Sequence, residues 1–136
     1  MDNKIKVYFL ILSLLASVLV ALLSCSSTLP KTLNVDESYS GKEVIVPLNG
    51  SLKITLEANI LSGYSWNEKP TINNEFVIKQ SDYEYKDAIP AIPGIGAQVW
   101  TFVAVGKGEA MITNEYGGFV GGSQNIKNFT LFVVVK

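Results

Sequence analysis

The chain has 136 residues, with 11 lysines and no arginine, 12 acidic side chains, no histidine and a single cysteine at position 25. Without histidine it can build neither a Ser-His-Asp nor a Cys-His catalytic arrangement, and a zinc site of the usual nitrogen and sulfur donors is excluded with them. A formal charge of −1 with no basic excess leaves no electrostatic footprint for nucleic acid or for a polybasic membrane patch. The expectation is therefore a non-enzyme that needs no cofactor and no metal and binds no nucleic acid; a monomer is expected as well.

At the N-terminus, Lys4 and Lys6 precede an apolar run over 7–23, interrupted only by Ser13 and Ser17. A basic start, an apolar middle and a small residue ahead of a cut describe a signal peptide over 1–24. The run ends Leu22-Leu23-Ser24-Cys25, which resembles a bacterial lipobox, so Cys25 is the expected lipidation site and first mature residue. The competing reading is an uncleaved anchor, because the run lies near the lower limit of about 17 to 25 residues for a spanning helix. The lone, unpaired cysteine at its end favours lipidation. Both readings put the remaining domain outside the cytoplasmic membrane, anchored to membrane or envelope. Residues 25–31 then form a lipidated cysteine and a short polar tether, and 32–136 suffice for one domain with a real core.

Past the tether the chain shows period-2 alternation between Gly, Pro and Asn punctuation, and no helical period. A short strand is expected at 32–35. Strands over 43–48 and 51–58 flank Asn49-Gly50, a two-residue hairpin signal. In the second of these, Leu52, Ile54, Leu56 and Ala58 alternate with Ser51, Lys53, Thr55 and Glu57. At Asn59 that alternation stops, and Tyr64 and Trp66 resume it after Ser62 and Gly63. Further strands are expected over 76–85, 98–105, 110–116 and 128–135. About seven to eight short strands at this spacing argue for an all-β, immunoglobulin-like antiparallel sandwich.

Strand parity has a functional consequence. If successive strands run up and down, the connections at 59–63, 87–97 and 117–125 emerge at one end, while Asn49-Gly50 and Gly106 to Gly108 turn the chain at the other. Long irregular loops on one tip of a rigid sandwich make a binding surface. Asp82, Glu84 and Asp87 are the one acidic cluster, the first two on one face of a strand; a carboxylate pair or calcium ligation is the chemical reading, and a solvated strand face the preferred one.

Asn59-Ile60-Leu61-Ser62-Gly63-Tyr64-Ser65-Trp66 resembles the first binding loop of the chagasin-like inhibitors of papain-type cysteine peptidases, whose pattern is Asn-Pro-Thr-Thr-Gly-(Tyr/Phe)-x-Trp. Asn59, Gly63, Tyr64 and Trp66 match, Ser62 substitutes for Thr, and Ile60 and Leu61 depart from the pattern. Gly94-Ile95-Gly96-Ala97, followed by Trp100-Thr101-Phe102, is similar to the family's Gly-x-Gly-Gly loop and its aromatic strand, with Ala97 in place of the last glycine. The family's third motif, Arg-Pro-Trp, is absent: Tyr116 is followed by Gly117-Gly118-Phe119-Val120, and Phe119 either replaces the tryptophan or packs on its own sandwich. The resemblance covers roughly residues 31 to 136.

The resemblance implies a proteinaceous inhibitor whose three loops form a wedge in the active-site cleft of a papain-like cysteine peptidase. Asn59 to Tyr64 would cover the catalytic cysteine, Gly94 to Ala97 and Gly118-Phe119 would grip the cleft walls, and Trp66, Trp100 and Tyr116 would support the loops. Gly63 and Gly96 would let backbone approach the partner. The alternative is a generic immunoglobulin-like envelope lipoprotein that binds another protein or a glycan through the same tip.

Overall fold

The computed structural model describes residues 3–4, 29–118 and 125–136. All of the expected signal peptide but residues 3–4, together with Cys25, tether residues 26–28 and Phe119, lies outside the described residues. Nine strands are described: β1 Thr32–Val35, β2 Glu43–Val46, β3 Ser51–Asn59, β4 Tyr64–Trp66, β5 Thr71–Ile72, β6 Ile78–Asp87, β7 Ile95–Ala104, β8 Gly108–Gly118 and β9 Asn125–Val135. They form two sheets, one in the order β1-β3-β7-β6 and the other in the order β2-β9-β8-β4, with β5 also on β8.

Alternation in the sequence becomes the sandwich directly. In β3 the even-numbered residues Leu52, Ile54, Leu56 and Ala58 are buried. They face Phe129, Leu131, Val133 and Val135 of β9 and Ala110 and Ile112 of β8, with Trp100 and Phe102 completing one contiguous core. Burial of this apolar surface, at about 25 cal/mol per Å², is the main force joining the sheets.

The fold departs from a wholly antiparallel sandwich at two edges. β1 pairs with β3, and β2 with β9, in parallel. The first three strands alternate between sheets, β1 and β3 in one and β2 in the other, which sets β1 beside β3 in the same direction; the β3–β7, β6–β7, β4–β8, β5–β8 and β8–β9 pairings are antiparallel. The switch from β1 to β2 runs through a one-turn 3-10 helix, Glu37–Tyr39, whose start is capped by the Asp36 carboxylate accepting from Ser38 N–H at 2.9 Å. For the same reason Asn49-Gly50 does not close a hairpin. It links strands of different sheets: Gly50 N–H donates to Pro47 O at 2.8 Å, and Asn49 alone takes the left-handed conformation, with φ 64°. Asn49 N–H and Gly50 O then bond across to Ala104, tying this turn to the end of β7.

Parity places the long connections as expected. The turn after β3, the loop between β6 and β7 and the β8–β9 connection leave one end, the tip. The 47–50 and 105–107 turns occupy the base, where Ser51 N–H also donates to Lys31 O at 2.7 Å.

Candidate functional site

The tip is built on the ends of β3, β4, β6, β7 and β8. After Asn59 the chain makes a single 3-10 turn over Ile60–Ser62 and leaves it through Gly63 at φ 80°, ψ 14°. Only glycine takes that left-handed conformation without steric cost. Ser62 Oγ donates to Asn59 O at 2.5 Å and Gly63 N–H to Ile60 O at 3.1 Å, so the turn is closed internally. Asn59 makes no side-chain cap to this turn.

The second loop is shorter than the sequence suggests. β6 runs to Asp87 and β7 begins at Ile95, so Ile95, Gly96 and Ala97 are ladder residues, paired with Asn59, Ala58 and Glu57 of β3. The free connection is 88–94. The Asp87 carboxylate accepts from Gly94 N–H at 2.7 Å, Ala88 N–H donates to Ile95 O at 2.8 Å, and Ile92 N–H to Ile89 O at 2.9 Å. The two loops are joined: Ile60 N–H donates to Gly94 O at 2.8 Å, and the Leu61 side chain lies over Gly94 where a Cβ would otherwise stand. Gly94 has φ 97°. The restraint that a proline at position 60 would supply comes here from the Ile60 N–H to Gly94 O hydrogen bond to the neighbouring loop.

The outer surface of these loops is aliphatic. Ile60, Leu61, Ile89, Ile92 and Ile95 are all exposed, Leu61 by 65%. Single exposed aliphatic residues are unremarkable, but four on two hydrogen-bonded loops, with Ile95 at the start of β7 beside them, form a patch of the kind that marks an interaction surface.

Gly118 is the last residue of β8 and pairs with Tyr64; a Cβ there would press on the Tyr64 ring at 3.0 Å. Its glycine therefore serves the seating of Tyr64, and the loop that follows lies outside the described residues. Beneath the first loop, Tyr116 stacks on Tyr64 at 6.2 Å and tilts against Trp66 at 5.2 Å, with its hydroxyl 3.4 Å from Asn59 N. Lys127 Nζ caps this cluster at 4.9 Å from the Tyr116 ring and 5.4 Å from Trp66, and pairs with Glu37 at 3.0 Å. Trp66 is buried and its indole N–H donates to Glu57 O at 2.9 Å. Trp66, buried, and Tyr116, half-buried, thus lie beneath the first loop.

Trp100 sits elsewhere. It lies mid-strand in the core, its indole N–H donates to Glu68 O at 3.0 Å, and it holds the segment after β4 rather than the second loop. Gly96 also differs from expectation: a Cβ there would overlap the carbonyl of Lys86 in its own sheet, so this glycine permits the β6–β7 approach.

Two supports escape a motif-based reading, Gln98 and Asn114, the buried polar side chains among the described residues. Gln98 Oε1 accepts from Trp66 N–H at 2.8 Å, and its Nε2 donates to Trp66 O at 3.0 Å and to Tyr83 Oη at 2.9 Å. Asn114 holds Asn67 the same way, through Oδ1 and Nδ2, both at 3.0 Å. Gln98 thus satisfies the backbone N–H and C=O of Trp66 at the β4 edge, which buried and unpaired would otherwise cost about 1–3 kcal/mol each. Burial holds the Tyr83 hydroxyl above the usual phenol range, against the opposing hydrogen bond from Gln98.

The Asp82-Glu84 pair is a solvated face. Asp82 accepts from Tyr83 N–H at 2.9 Å, and Glu84 pairs with Lys86 at 2.9 Å and Lys53 at 3.7 Å. Among the described residues no group of His, Cys, Asp and Glu could hold a metal ion.

A two-sheet sandwich presenting hydrogen-bonded loops with exposed aliphatic side chains at one tip defines a class: a β-sandwich whose loops form a candidate binding surface. Residues 45–133 match the chagasin family of peptidase inhibitors, I42, and the chain belongs to that family. Solved structures share the fold. A cysteine protease inhibitor of Entamoeba histolytica superposes with a TM-score of 0.64 at 20% identity, over 77% of this chain and 95% of that one. Amebosin gives 0.60 at 23% identity, over 79% and 99%. PbICP-C, solved in complex with falcipain-2, gives 0.51 at 15% identity, over 79% and 100%. Among proteins of curated function, none matches this sequence.

Proposed function

We propose that this chain inhibits papain-like cysteine peptidases by plugging the active-site cleft with the 59–63 turn and the 88–94 loop, flanked by the β8–β9 connection. The observation that carries this reading is the Ile60 N–H to Gly94 O bond, which fixes two aliphatic loops as one convex body before any partner arrives. A preorganised wedge loses little entropy on binding, the condition for tight protease–inhibitor association over an interface of about 1,600 Å². The 3-10 turn also explains why an inhibitor of this shape escapes cleavage, since a substrate peptide must lie extended across the catalytic cysteine. Family membership and the fold shared with a cysteine protease inhibitor and with a protein solved on falcipain-2 support the same reading.

The apolar run at 7–23 and Cys25 support an extracytoplasmic, lipid-anchored location for this inhibitor, with 25–31 as its tether. Titrating papain with residues 26–136 tests the inhibitory activity. Competitive inhibition in the nanomolar range, abolished by Gly63→Glu, is the expected result. A folded domain that leaves papain and a cathepsin-like enzyme untouched at micromolar concentration overturns it.

A further inference from the structure

The base of the sandwich carries a feature that inhibition at the tip does not use. Phe76 is 90% exposed. It does not sit on a loose loop: Val77 and Ile78 beside it are buried, Val77 O accepts from both Val105 and Gly106 N–H, and Gly106 lacks the Cβ that would meet the Phe76 carbonyl. The fold thus holds this aromatic ring out into solvent. Val105 and Leu48 are exposed on the adjacent base turns, and Leu29 is exposed just ahead of Lys31. Lys31, Lys107 and Lys136 are exposed around them and outnumber Glu75 and Glu109, so the rim does not oppose an anionic surface.

The chain enters the domain at this same end, through the Lys31 O to Ser51 N–H bond. From Cys25 to Lys31 it can reach at most about 20 Å, at about 3.5 Å per residue. Anything that embeds the 7–23 run or a lipid on Cys25 therefore keeps the base within that distance of lipid headgroups. An amphipathic or aromatic side chain held there meets the interface with little further loss of freedom.

We propose that the base of the sandwich rests on the lipid bilayer, with the Phe76 ring inserted among the headgroups and Val105 and Leu48 beside it, so that the tip points away from the membrane. This rests on the reading of the N-terminal segment as a membrane anchor and is independent of the identity of the inhibited peptidase. A lipid surface is favoured over a protein partner because the tether delivers the base to the bilayer.

The test uses the full chain in vesicles of phosphatidylcholine and phosphatidylglycerol, with and without brominated acyl chains. Phe76→Trp places a reporter at the base, and Ile92→Trp places one at the tip. The native Trp66 and Trp100 are buried and give a constant background. The expected result is that the protein floats with the vesicles, that Trp at position 76 shifts to shorter wavelength and loses at least half its emission to brominated lipid, and that Trp at position 92 does neither. Flotation without quenching at position 76 overturns the base contact and leaves the anchor standing. Failure to float removes the anchor and the proposal together. A blue shift without bromine quenching puts a protein surface on Phe76 and also overturns it.

Discussion

Two glycines of the matched motifs do different work, and the difference decides what their substitution should cost. Around Gly63 there is open space, and only its φ of 80° resists a side chain. Gly96 has an ordinary backbone, but its own sheet occupies the space a Cβ would need. Gly63→Ala should therefore lower unfolding free energy by about 1 kcal/mol through left-handed strain. Gly96→Ala should lower it by about 3 kcal/mol by forcing β6 from β7. Urea unfolding of the two variants reads the contrast, and equal costs would refute it. A sequence shows both as glycines near a loop; only the pairing of Gly96 with Ala58 and Asp87 shows which one faces the solvent. Gln98 and Asn114, by contrast, left a trace in the sequence. Each occupies the inward phase of an alternating strand, Gln98 ahead of Trp100 and Phe102, and Asn114 after Ala110 and Ile112. A polar residue on a buried phase must have a partner, although its identity, the backbone of Trp66 and of Asn67, lies across some 30 to 50 positions of chain.

Among the elements, β-strands and their punctuation were readable because period-2 burial is written into composition. Their partners were not. Asn49-Gly50 has the local chemistry of a hairpin turn, yet core burial sends β2 to one sheet and β3 to the other, and the turn serves as a bridge. The first loop is the converse case. Its missing proline suggests a floppy element, and the compensation comes from a loop more than thirty residues away through Ile60 and Gly94. Asp87 is the hinge of that arrangement, since its carboxylate orients Gly94 by accepting its N–H. A hydrogen bond to a charged group contributes about 1.5 kcal/mol, roughly a tenfold change in affinity if lost only from the ordered loop. Asp87→Ala should therefore weaken peptidase inhibition about tenfold while moving the thermal midpoint of the domain little. A large loss of thermal stability with unchanged inhibition would show that the staple serves the fold and not the wedge.

For the whole molecule, charge and topology together predict how pH acts. With no histidine, no side chain of ordinary pKa titrates between about pH 5.5 and 8. The groups held away from their usual values lie outside that window. Hydrogen bonds from Ser38 keep the Asp36 carboxyl below its usual value, and the hydrogen bond from Lys86 does the same for Glu84. Burial keeps the hydroxyls of Tyr83 and Tyr85 above theirs. A carboxylate with a depressed folded pKa adds stability that is complete above its unfolded value and is lost as pH falls through the folded one. A phenol with a raised pKa adds stability that is present below its unfolded value, about 10, and is lost as pH climbs through the folded one. Stability should therefore form a plateau across the neutral range, falling on the acid side below about pH 4 and on the alkaline side above about pH 10. Thermal unfolding across this range reads it directly. The same plateau has a consequence at the tip: the wedge is aliphatic and its glycines and backbone carry no proton to lose, so any change of inhibition between pH 5.5 and 8 should follow the ionisation of the peptidase alone, as measured with two enzymes of different pH profile against this one inhibitor.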